Sequence, residues 1–168
     1  GSYDDFYFNS NLNYDLRDSP YRPTSGYKTS FYQTLPIISD NQEIQNTFTA
    51  TKYKTLNETS GMVGMASLYL SSVHTLSNDN DVRISKRGYI PYNRLRGFER
   101  NKVGPIDNED FIGGNYVTAL NFATNLPGLF TTVENIDISY FVDVANVWGV
   151  DYSSAIDLSL IHIWRCRR

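Results

Sequence analysis

The sequence predicts an all-β, antiparallel chain. Three observations predict it: apolar and polar residues alternate with period two in six separate runs, no stretch keeps a 3.6-residue period, and turn chemistry falls between the runs. The 168 residues are 40% hydrophobic and 14% aromatic, with 13 Tyr, 9 Phe and 2 Trp at a mean hydropathy of -0.40. Rings are therefore interleaved with polar residues instead of forming one apolar core, and the chain is too hydrophobic for disorder.

The first run places Phe6, Phe8, Leu12, Tyr14 and Leu16 in one phase and Asp5, Asn9, Asn11, Asn13 and Asp15 in the other. "DSPYRPTSG" ends it with two prolines and a Thr-Ser-Gly turn, which predicts a hairpin. The second run starts at Tyr27, with Thr29, Phe31 and Leu35 in phase, and "SDNQ" turns it. The third, about Ile44 to Thr55, is rich in strand-prone Thr, and the fourth is "GMVGMASLYLSSVH"; both have weak contrast between faces. The fifth sets Tyr116, Thr118, Leu120 and Phe122 against Val117, Ala119, Asn121 and Ala123, and "LPGLF" turns it. The sixth sets Ile136, Ile138, Tyr140, Val142 and Val144 against Asp137, Ser139, Phe141, Asp143 and Ala145, so Asp143 lies on a polar phase among small neighbours.

Between the fourth and fifth runs lies a connection from about Leu76 to Gly113. It far exceeds the ~12 to 15 residues beyond which a structureless loop is uncommon in a compact domain. Tyr89, Ile90, Tyr92, Leu95, Phe98, Val103 and Ile106 are too many anchors for disorder, so the loop should be ordered and packed against something.

Strands of about ten residues with short turns and long excursions fit a transmembrane β-barrel. They also fit a soluble β-sandwich, here one that would bind carbohydrate on Tyr and Trp platforms. A sandwich needs its inner faces apolar, whereas a water-filled lumen accepts a face of Asn, Asp and Ser. Pattern alone leaves both open.

Several classes of chemistry find no support. A formal net charge of -3 gives no basic patch for nucleic acid. No run approaches the ~20 apolar residues of a membrane helix, and the start "GSYDDFYF" carries no secretory leader, though one could lie upstream of a fragment. His74 stands without a second His or Cys at metal-ligand spacing and reads as a strand-end surface residue, so no metal site is predicted. "SNDNDVR" lacks the Gly and Glu of a calcium loop. Glu109 and Asp110 are adjacent loop acids rather than a catalytic pair, and no nucleophile motif or phosphate loop is present, so no enzyme and no cofactor are predicted.

The tail "LSLIHIWRCRR", residues 158–168, departs from the composition before it and is what a transposon-type sequencing adapter encodes when TGA is decoded as Trp. It is set aside as non-native. Without it Lys+Arg falls from 15 to 12 against 18 acids, a charge of -6, and Cys166 goes with it. The native part is residues 1–157, one partial barrel domain.

"LRGFERNKVGPIDNEDFIGGN" contains Leu95-Arg96-Gly97-Phe98, then Gly104-Pro105, then Gly113-Gly114-Asn115. This ordered set, with strands on both sides, resembles the sixth extracellular loop of the outer-membrane protein assembly factors, the BamA-type insertases of the bacterial surface antigen family. "YFVDVANVW" and "YRPTSG" resemble that family's aromatic-x-Asp-x-Gly-x-x-Trp strand and Pro-Thr-x-Gly turn. The resemblance implies an antiparallel transmembrane barrel of sixteen strands preceded by POTRA domains, of which this chain is about strands eight to thirteen. Because outer-membrane barrels start at eight strands, six imply a fragment.

It further implies a bacterial outer-membrane location and assembly of β-barrel proteins, with nascent outer-membrane proteins, accessory lipoproteins and lipid as partners. A related translocator of two-partner secretion or autotransporter assembly type shares the loop motif. In the family the loop folds into the lumen and its Arg pairs with acids on the wall; here these roles fall to Arg96 and Asp143. A confined guanidinium needs a carboxylate with matching fork geometry. Asn121 stands where that strand often carries a second acid, leaving at most an amide carbonyl for Arg96, and Ala145 replaces the motif Gly. Gly97 should allow a positive φ or a close approach, and Phe98 should wedge the loop on the wall, while Arg94, Glu99, Arg100 and Lys102 stay solvated.

Overall fold

The computed structural model describes residues 5–39, 42–76, 81–127 and 138–151. The tail 158–168, the first residues of "GSYDDFYF", Ile136, Asp137, and parts of "SDNQ", "SNDNDVR" and "LPGLF" lie outside them.

The six period-two runs form β1 (Phe6–Asp15), β2 (Gly26–Ile38), β3 (Glu43–Asn57), β4 (Met62–Thr75), β7 (Tyr116–Asn125) and β8 (Ser139–Trp148). Two short strands, β5 (Ile106–Asp107) and β6 (Asp110–Phe111), lie inside the long loop. The long strands make one antiparallel sheet in the order β1-β2-β3-β4-β7-β8, open at β1 and β8. It is the partial, unclosed barrel expected from the sequence. The other sheet among the described residues is the two-stranded β5–β6 hairpin inside the loop, too small to be the second layer of a sandwich.

Register sorts the residues into two faces. Asn9, Asn11 and Asn13 oppose Thr34, Tyr32 and Ser30, which continue into Gln45, Thr47 and Thr49 and then Val73, Ser71 and Tyr69. Hydroxyl pairs knit this polar face across strands: Ser30 with Thr49 at 2.6 Å, Thr51 with Ser67 at 2.9 Å, Thr47 with Ser71 at 3.2 Å. The opposite face carries Phe8, Leu12, Tyr14, Leu70, Leu120, Phe122 and Tyr140, all exposed. An apolar face left open to the surroundings is the arrangement lipid requires.

The polar face turns apolar on β7 and β8, where Val117, Ala119, Ala145 and Val147 are buried together with Ile90, Leu95 and Val103 of the loop. The loop supplies the cover, so those positions need no polarity.

The lengths of the connections do not alternate as expected. The long loop follows β4 and so leaves the sheet at the end where β2 ends and β3 begins, while the β1–β2 and β3–β4 connections are at the other end. The "YRPTSG" stretch is long because it is internally built: the Asp18 carboxylate accepts from the backbone N–H of Ser19, Thr24 and Ser25 at 2.9–3.2 Å. These bonds, the Thr24 hydroxyl first, hold the Asp18 carboxyl below its ordinary value. A depressed folded value stabilises above the unfolded pKa of about 3.9 and is lost as pH falls through the folded value. Asp18→Asn should therefore lower the urea midpoint of the full-length protein at pH 7, with the difference from wild type vanishing in acid below that range.

Candidate functional site

The site is the contact between the long loop and the polar face of β4, β7 and β8. Ser67 pairs with Asn121 across β4 and β7, and Asn121 with Asp143 across β7 and β8, so three polar side chains stand in one row. Loop residues Arg94 and Arg96 reach that row, and Leu95 between them enters the apolar cluster, 7% exposed.

Arg96 makes a fork on Asp143: Nε donates to Oδ2 at 2.8 Å and Nη2 to Oδ1 at 2.7 Å. Its backbone N–H adds a third bond to Oδ2 at 3.1 Å. Two parallel N–H···O bonds from one planar group fix direction as well as charge, which a Lys ammonium does not. The guanidinium also lies 3.6 Å from the ring centroid of Phe141. Gly97, at φ +85°, follows at once, a conformation in which a side chain would clash with its own carbonyl.

Asn121 differs from its expected role. Its amide nitrogen donates to Asp143 Oδ1 at 2.8 Å and to the Arg94 carbonyl at 2.7 Å, while its oxygen accepts from Arg94 Nη1 at 3.3 Å. It meets Arg96 only through their shared carboxylate. Arg94 is correspondingly not a solvated charge: Nη1 also donates to Ser67 Oγ at 2.6 Å, and the guanidinium lies 5.5 Å from the Tyr69 ring. The expectation that Arg94 stays in water failed because its partners sit on strands 27 residues away.

Phe98 was expected to wedge the loop on the wall. It is 36% exposed and borders a small hollow within the loop beside Ile90, Leu95 and Val103. The wall-side ring is Phe141. Gly104 and Pro105 are buried, and a Cβ on Gly104 would stand 3.1 Å from Val147 Cβ, so the Gly-Pro pair lets the loop lie flat on β8. Gly114 runs along the end of β8, where a Cβ would come within 2.9 Å of the Trp148 carbonyl carbon. Gly113 is at φ +69°, and a Cβ there would come within 2.9 Å of the Gly88 carbonyl oxygen and 3.0 Å of the Tyr89 ring. Asn115 is buried and ties three segments: its N–H donates to the Gly149 carbonyl at 2.8 Å, its carbonyl accepts from Val73 N–H at 2.8 Å, and its amide donates to Asp151 at 2.6 Å. Glu109, weighed above as an acid, sits with Asn108 at the tip of the β5–β6 hairpin, both at positive φ, the sign pattern of a type I′ turn.

Sequence reasoning missed a second attachment. Arg83, where the loop leaves β4, donates through its backbone N–H to Glu43 Oε1 at 2.8 Å and through Nε and Nη2 to Oε2 at 3.2 and 3.1 Å. It also reaches Asp5 at 3.2 Å and the Tyr7 hydroxyl at 3.0 Å. The Glu43 hydrogen bond, first among the causes, raises the Arg83 pKa, and the Ser39 hydrogen bond, then Arg83, lowers that of Asp5 against the opposing effect of burial. No local motif could have flagged it, since Glu43 and Asp5 are 40 and 78 residues from Arg83. Arg83→Ala would strand Glu43, 3% exposed, and should release the start of the loop to protease, whereas Glu43→Gln, keeping one acceptor, should release it less.

His74 lies at the end of β4 with its ring edge-on to Tyr116, which stacks on Trp148. Among the described residues no group of three or more His, Cys, Asp and Glu could hold a metal, and no helix is long and apolar enough to cross a membrane.

Comparison with known proteins decides the family. Residues 1–159 match the Omp85 superfamily domain. The chain belongs to the Omp85 superfamily. The fold of this Omp85 chain matches the crystal structure of BamA from Haemophilus ducreyi lacking POTRA domains 1-3, with a TM-score of 0.74 at 24% identity. That likeness covers 86% of this chain and 30% of the other, so the chain spans under a third of its length. The Omp85 sheet is thus part of an outer-membrane β-barrel: its apolar face meets lipid and its polar face, carrying the loop, faces the lumen.

Proposed function

We propose that this Omp85 chain is part of a BamA-type insertase that assembles and inserts β-barrel proteins into the bacterial outer membrane. Nascent outer-membrane proteins, accessory lipoproteins and membrane lipid are its partners. One observation carries the reading: the Leu95-Arg96-Gly97-Phe98 loop is folded back on the inner wall and fastened there by the Arg96–Asp143 fork. A loop so fastened is braced on β8 and, through the Asn121 amide that shares the Asp143 carboxylate, on β7. Strand exchange with a substrate then falls to a seam elsewhere in the barrel, where an open β-edge can template an incoming strand.

The test is reconstitution of the full-length protein in liposomes with an unfolded β-barrel substrate. Insertion, read as protease protection and heat-modifiable mobility of the substrate, is the expected result. Passage of an unfolded passenger across the bilayer without insertion would instead assign the chain to a translocator of two-partner secretion or autotransporter assembly type.

A further inference from the structure

The motif accounts for one cation on the row Ser67, Asn121 and Asp143, and the structure brings a second, Arg94, to the same row. We propose that Arg94 is a second positioning residue for the loop, clamped on Ser67 and Asn121 and coupled to the Arg96–Asp143 fork through the Asn121 amide. This rests on the loop lying against the lumenal wall and not on the choice between insertase and translocator.

The Asn121 side chain, 4% exposed, faces two acceptors on one side, the Asp143 carboxylate and the Arg94 carbonyl, and a guanidinium on the other. Only one orientation of the amide satisfies all three, with NH2 toward the acceptors and the oxygen toward Arg94. A carboxylate at 121 would pair with Arg94 but turn a second negative charge on Asp143 Oδ1. A neutral amide lets one carboxylate and two cations share the row without that repulsion. The short Arg94 bond to Ser67 Oγ, 2.6 Å, extends the clamp to β4, which the Arg96 fork does not reach. The two arginines therefore fasten the loop to different strands, with Leu95 driven between them into the apolar cluster.

The experiment uses the full-length protein in outer-membrane preparations and follows chymotryptic cleavage of the loop, whose rate tracks the population of detached loop when reclosing is fast. Arg94→Leu and Asn121→Leu should each raise that rate about tenfold, the loss of one net hydrogen bond to a charged group. Combined, they should raise it by clearly less than the product of the two effects, because either one alone already breaks the Arg94–Asn121 contact. Arg94→Lys should recover part of the protection through Ser67, and Ser67→Ala should abolish that recovery. Ser67→Ala alone, the mildest change, keeps the test available if a larger substitution lowers barrel yield; it should raise the rate severalfold. An unchanged rate in Arg94→Leu, or additive effects of Arg94→Leu and Asn121→Leu, would overturn the proposal. Faster cleavage with insertion at the wild-type level would count against the bracing role in the insertase reading and leave the clamp standing.

Discussion

Arg96→Leu should destabilise the full-length barrel more than Asp143→Leu does, although the two substitutions break the same ion pair. The reason is burial. Asp143 is 4% exposed and Arg96 37%. Removing the guanidinium leaves a carboxylate shut in the wall with only the Asn121 amide and the Arg96 backbone N–H for partners. Breaking a buried pair from one side in this way costs about 3–5 kcal/mol in general, and the two remaining donors place the expected value near 3 kcal/mol. Removing the carboxylate lets the half-exposed guanidinium turn to water, and the cost should fall to about 1–2 kcal/mol, the lost hydrogen bonds alone. Arg96→Lys should lie between, since an ammonium keeps the charge but loses the fork and the Phe141 contact. Urea titration of the folded barrel, followed by heat-modifiable gel mobility, orders the three.

Gly114→Ala is the second substitution with a large expected effect, and it adds only a methyl group. The Cβ would stand 2.9 Å from both the Trp148 carbonyl carbon and Val147 Cγ1. Main chain of β8 cannot rotate away as a side chain can, and Gly114 is held in place by paired bonds with Gly88 at 2.7 and 3.0 Å. Overpacking of this kind costs ~1–3 kcal/mol, and a backbone clash belongs at the upper end. Gly61→Ala is the matched control: at φ +69° it carries the backbone strain of a side chain but would touch nothing within 4 Å. Its cost should stay near ~1 kcal/mol, so the difference between the two isolates the close approach of the loop to β8.

Much of this was legible in the sequence, for physical reasons that differ by element. The strands read directly because a barrel wall has two solvents, and β1 states both in alternate residues. The contrast was weak on β3 and β4, while β7 and β8 read more cleanly even though Val117, Ala119, Ala145 and Val147 on their inner phase meet the loop instead of water. The Arg96 role came from the resemblance carried by the ordered Gly, Pro and Asn residues around it, not from period or spacing. The Arg94 and Arg83 attachments were not legible, because their partners are distant in sequence and neither motif nor period marks an arginine as buried. The β5–β6 hairpin was hidden because its turn is Asn-Glu, not the Asn-Gly that normally signals two positive φ values. The wall role of Phe98 came with the resemblance of the loop, and the ring instead borders a hollow within the loop beside Ile90, Leu95 and Val103.

The central claim is that the loop is fastened to the lumenal wall through Arg96 and Asp143 and that assembly depends on this. Exchanging the two charges in the full-length gene tests it most directly, with growth and outer-membrane protein levels measured in cells that depend on that gene. Arg96→Glu alone should impair assembly by setting two carboxylates against each other, and adding Asp143→Arg should restore part of it. Assembly at the wild-type level in the Arg96→Glu single variant would contradict the account.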